Sequence, residues 1–175
     1  QMVLAYTPLQ VGLAFLPSNL IMGAFSLGLS AKVVMRFGVR WPLALGLALV
    51  AAGLGAFSFA SVEGSFALHV LPGMVLLGFG VGLAFNPVLL AAMSEVDPAE
   101  SGLASGVVNT AFMMGGALGL AVLASLAAAV TSGSLAGGAL PEAALAEGYR
   151  AAFLAGALIA ALAALIAAIF LRGVK

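Results

Sequence analysis

The side chains able to do chemistry in this chain are few and mostly uncharged. Asn19, Asn86 and Asn109 each sit inside a long apolar stretch, and Phe112 and Met113 follow the last of them by about one helical turn. A carboxamide donates and accepts hydrogen bonds, while phenyl rings and thioethers adapt to varied apolar shapes. Such a set can recognise a ligand, but it cannot break a covalent bond. There is no cysteine and a single histidine, His69, which removes thiolate nucleophiles, disulfides and histidine-rich metal sites. No nucleophile–base pair or metal cluster emerges, so the residues support neither an enzyme nor a bound cofactor. The carboxylates Glu63, Glu95, Asp97, Glu100, Glu142 and Glu147 all fall in or beside expected loops. A proton carrier inside a membrane would need an acid at depth, and these residues do not supply one.

The elements that hold the asparagines must live in hydrocarbon. Hydrophobic residues make up 64% of the chain and charged residues 7%, with a mean hydropathy of +1.26. Soluble domains carry about 25% charged residues, so water cannot be the main solvent. The zero net charge excludes an electrostatic nucleic-acid binder. A membrane-spanning helix needs roughly 20 apolar residues, and the stretches between charged residues predict five: about 9–29, 42–61, 67–92, 103–130 and 151–171. Continuous apolar runs are not the alternating pattern of barrel strands, so the spans are helices. Residues from Thr131 to Pro141, rich in glycine and serine, read as a loop. The chain starts at Gln1 rather than Met and lacks a signal-peptide pattern; further sequence is expected before it.

The second and fifth spans lack polar groups at depth and suit lipid contact. The others carry Ser18, Asn19 and Ser26, then Asn86, then Ser105, Asn109 and Thr110. Two readings stay open for each asparagine: a hydrogen bond between helices, or the wall of a substrate cavity. Pro17, Pro72 and Pro87 fall within spans and are expected to bend them. Small-residue pairs at four-residue spacing, Gly78 and Gly82, Gly102 and Gly106, and Gly115 and Gly119, predict close packing of the third and fourth helices. His69 reads either as a proton sensor or as an interfacial side chain without a role.

Basic residues favour cytoplasmic loops. Lys32, Arg36 and Arg40 share one side with Arg172 and Lys175 when five spans are counted. The reading places that side in the cytoplasm, with the N-terminal end of the chain outside.

The first loop, Ser30 to Arg40, resembles the short basic loop motif of the major facilitator superfamily. Arg36, Gly38 and Arg40 match it; Met35 stands at the motif's aspartate and Trp41 at its final basic position. Tyr6 to Pro17 is similar to the start of the tenth span in the fourteen-span drug:proton antiporter subfamily. Ser101 to Thr110, followed by Gly115 to Ala121, is similar to its thirteenth span, although Phe112, Met113 and Met114 stand near where relatives often carry an Arg-Gln pair.

The resemblance implies five transmembrane helices from the C-terminal six-helix half of a major facilitator superfamily bundle, in a multi-pass cell-membrane protein. It implies proton-coupled efflux of drugs or other hydrophobic or cationic compounds by alternating access, with an N-terminal half of the same chain as partner. Asn19, Asn86, Asn109, Phe112 and Met113 become candidates for the substrate surface, and Arg36, Gly38 and Arg40 for inner gating. A transporter of one metabolite, siderophore or lipid, and a membrane scaffold that moves nothing, are the other classes left.

Overall fold

The computed structural model describes residues 16, 19–25, 30–59 and 70–171 of the chain. Pro17, Ser18, Ser26, Glu63, His69, Arg172 and Lys175 lie outside them, as does most of the first expected span, of which residues 19–24 are helical. The described residues form α1 (Ser30–Phe37), α2 (Arg40–Ser58), α3 (Leu71–Met93), a 3-10 turn (Pro98–Glu100), α4 (Ser101–Ala136) and α5 (Pro141–Phe170). The four helices α2 to α5 are each long and apolar enough to cross a bilayer. The fold is all-α and membrane-spanning.

Glycine and proline set the helix ends. Gly38 has a φ of 73°, a left-handed backbone that an L side chain rarely adopts, and it lets the chain reverse between α1 and α2. Gly138 has a φ of 87° and stops α4. There Ala139 N donates to Ser134 O and Gly138 N to Leu135 O, both at 3.0 Å, a paired pattern that satisfies the last carbonyls of the helix. Pro141 then opens α5, where its missing N–H costs nothing. The loop expected over Thr131 to Pro141 therefore contracts to Gly137–Leu140. Packing overrides local composition here. A Cβ on Gly148 of α5 would strike the Ala127 carbonyl at 2.5 Å as well as the Thr131 hydroxyl, and Ser134 Oγ donates to Glu147 Oε2. Pro72, expected inside a span, instead lies in the first turn of α3, while Pro87 is interior and fully buried.

α2 is the hub, packed along both α3 and α5, while α5 carries α4 on its other side. The contact between α2 and α3 is a seam of glycines. A Cβ on Gly46 would approach Gly80 O to 2.7 Å and Ala84 N to 2.8 Å; one on Gly53 would approach Gly73 O to 2.9 Å. These distances leave room for hydrogen only, so the backbones touch. In lipid, where no hydrophobic drive joins helices, such van der Waals contact is a main source of association. The expected close packing of the third and fourth spans is not what the described residues show: α3 meets α4 only lightly. Beside the seam, Leu43, Ala84 and Ala167 join α2, α3 and α5 in a small core.

Much of the exposed surface along the helices is apolar. On α5, Leu154, Leu158, Leu162, Leu165 and Ile169 form one exposed stripe, a lipid-facing pattern. On α2 the exposed stripe is narrower, through Trp41, Leu45, Ala48 and Ala52, because its other faces are packed. α4 has none of its apolar window buried within the chain.

Candidate functional site

α3 and α4 diverge around a cavity of about 550 Å³. From α3 it is lined by Phe85, Leu89 and Met93, and from α4 by Ser105, Val108, Asn109, Phe112 and Met113. The spacing explains the lining. Phe85, Leu89 and Met93 recur every four residues, and the α4 set recurs at three and four, so each helix offers one face. Pro87 lies inside α3 within this segment, where it removes a backbone hydrogen bond. Phe85 and Phe112 meet across the gap with ring centroids 5.9 Å apart and planes at 61°, an edge-to-face arrangement that aromatic quadrupoles favour.

The walls hold no charged side chain. Their polar groups are the Asn109 carboxamide and the Ser105 hydroxyl. The neighbouring Thr110 hydroxyl donates instead to Gly106 O of its own helix at 2.8 Å. The volume falls within the range of small-molecule sites, which pair mostly apolar walls with a few placed polar groups. What this arrangement can do chemically is hold an apolar or aromatic compound and read one or two hydrogen-bonding groups on it.

Three expected substrate residues, Asn109, Phe112 and Met113, come together here. Asn86 is half-buried on α3 beside Phe85, and Asn19 is exposed on the first helical segment; neither lines the cavity. Phe85, Leu89, Met93 and Val108 carry no polar mark in the sequence, and only their helical spacing signals a shared face.

The loop motif lies where α1 meets α2. Arg36 is exposed in the last turn of α1, Gly38 makes the turn, and Arg40 Nε donates to Ala168 O at 2.7 Å. The start of α2 and the last turn of α5 are thus at one end of the bundle. Among the glycine pairs, Gly78 is buried in α3, and a Cβ on Gly82 would come within 2.9 Å of Phe25 Cβ. Gly102, Gly106, Gly115 and Gly119 face open space within the described residues.

Residues 4–175 match the Major Facilitator Superfamily. Among curated relatives, Puromycin resistance protein pur8 of Streptomyces alboniger is 33% identical over 150 residues, covering 85% of this chain and 30% of that protein. Cephamycin export protein CmcT of Amycolatopsis lactamdurans is 35% identical over 77% of this chain and 28% of its own length. Multidrug resistance protein Stp of Mycobacterium tuberculosis is 38% identical over 77% of this chain and 25% of its own. The chain therefore spans about 30% or less of the length of these relatives. No solved structure matches it significantly.

Proposed function

This chain belongs to the major facilitator superfamily, a family of transporters rather than enzymes, and on that premise we propose that it is part of an exporter of drugs or similar hydrophobic compounds. The observation that carries this reading is the uncharged cavity between α3 and α4, which Phe85, Phe112 and Met113 line together with the Asn109 carboxamide. Flexible thioethers and phenyl rings accommodate many apolar shapes, which suits a broad substrate range. The relatives named for puromycin resistance, cephamycin export and multidrug resistance support the same reading.

Transport would proceed by alternating access, two halves rocking about a midplane site. The remainder of the protein would cover the open faces of α4, none of whose apolar window is buried among the described residues. Asn19 and Asn86 would face that shared space. Exchange for protons belongs to the same reading, with the coupling acid carried elsewhere in the full protein. The basic loop Lys32 to Arg40 would lie in the cytoplasm together with the C-terminal end, following the positive-inside rule. A second reading, an exporter dedicated to one metabolite, is favoured by relatives each named for a single compound, puromycin and cephamycin.

The test is accumulation of a panel of fluorescent dyes and antibiotics in cells lacking their own efflux pumps, with and without the full-length protein. Broad export that stops when the proton gradient collapses supports multidrug antiport. Export of a single compound supports the dedicated reading, and gradient-independent export removes proton coupling. No export of any compound overturns the proposal.

A further inference from the structure

α1 is short and strongly two-sided. Lys32, Met35 and Arg36, at positions i, i+3 and i+4, share one face, and all three are exposed; Met35 shows 80% of its surface. Val33 and Val34 are half-buried on the opposite side, and Val39 just after the helix is buried. The sequence of α1 contains no acid. Phe37 and Trp41 follow, 58% and 62% exposed, at the point where α2 begins its crossing. The Arg36 guanidinium lies 5.7 Å from the Phe37 ring centroid and that of Arg40 lies 5.1 Å from the Trp41 ring.

From this we infer that the outer face of α1, with Phe37 and Trp41, is a binding site for anionic phospholipid headgroups. Aromatic rings at the end of a span sit at headgroup level. The ring contact of Arg36 holds its charge at the same level, and Lys32 lies one turn away, about 5–6 Å between Cβ atoms. Two cations at that separation suit a phosphate with no compensating charge of its own, as in phosphatidylglycerol. A zwitterionic headgroup brings its own cation and gains less. Exposed Met35, Phe37 and Trp41 supply contact for the acyl chains, which a free phosphate lacks. Arg40 is assigned elsewhere, since it is half-buried and donates to the Ala168 carbonyl.

The test uses the full-length protein in detergent, titrated with phosphatidylglycerol, phosphatidylcholine and glycerol phosphate, with bound molecules counted by native mass spectrometry. The wild type is expected to hold at least one phosphatidylglycerol in preference to phosphatidylcholine. The double variant Lys32→Gln/Arg36→Gln should lose one high-affinity phosphatidylglycerol, with affinity at that site falling roughly fivefold per cation removed at low salt. The charge-preserving Lys32→Arg/Arg36→Lys variant should keep it. An unchanged phosphatidylglycerol count in the Gln variant overturns the site. So does its loss in both variants, which would mean a structural role, or equal binding of glycerol phosphate, which would mean a bare anion site. The readout is lipid occupancy, so its outcome is independent of whether the protein exports drugs.

Discussion

Arg40 and Ala168, 128 positions apart in sequence, are joined by a hydrogen bond of 2.7 Å from the guanidinium Nε to the carbonyl oxygen. The acceptor lies in the last turn of α5, whose carbonyls have no partners within the helix and carry its negative dipole end. One cation therefore caps α5 and ties it to the first residue of α2. The contact also fixes parity: after the four crossings α2 to α5, the chain returns to the end of the bundle where α2 began. Arg40→Ala is expected to destabilise the full-length protein by about 1.5–3 kcal/mol, the range for hydrogen bonds to charged groups. Arg40→Lys keeps the charge but not the Nε donor, and should recover only part of the loss. Thermal unfolding in detergent, followed by the fraction remaining monodisperse, reads both.

The glycine seam makes a sharper demand. Gly46 and Gly80 face each other so closely that an added Cβ would meet backbone atoms at 2.7 Å on either side. Backbone cannot swing aside as a side chain can, so Gly46→Ala or Gly80→Ala should cost about 1–3 kcal/mol, as overpacking does. Larger residues should prevent accumulation in the membrane. Gly106→Ala meets nothing among the described residues and should leave the packing of α2, α3 and α5 unchanged. Expression and thermal stability of the three alanine variants, compared side by side, check the contrast.

At the turn between α4 and α5 the constraint is conformational instead of steric. Gly138 stands in open space but at a φ of 87°. Left-handed backbone costs a residue with a Cβ roughly 1–2 kcal/mol. Gly138→Val should loosen the α4–α5 hairpin, raising protease sensitivity at Gly137–Leu140 without dissociating α2 from α3. Limited proteolysis of the membrane-embedded protein measures it.

The sequence was informative where one force acts alone. Uninterrupted apolar runs required helices in lipid, and the grouping of Lys32, Arg36 and Arg40 marked one end of the bundle. It misled where packing competes with local composition. Thr131 to Ala136 is small and polar, yet it is helical because Gly148 lets α5 approach it. Glycines four apart predict a helix contact, whereas the seam uses Gly46 and Gly53, and Gly73 and Gly80, each seven apart. Seven residues are two turns, so these pairs also share a face. Asn109 and Phe112 pointed to the cavity, but its α3 wall of Phe85, Leu89 and Met93 carries no polar mark and becomes visible only once α3 and α4 are set beside each other.

Drug binding in the cavity between α3 and α4 can be read by substrate protection. In a cysteine-free full-length protein, single cysteines placed at Met113, on the cavity wall, and at Leu158, on the lipid stripe of α5, would be labelled with a small maleimide with and without an exported drug. Saturating drug is expected to slow labelling at position 113 at least severalfold and to leave position 158 unchanged. Equal labelling rates at position 113 with and without drug, in a variant that still exports it, would contradict the assignment of this cavity as the place where the drug binds.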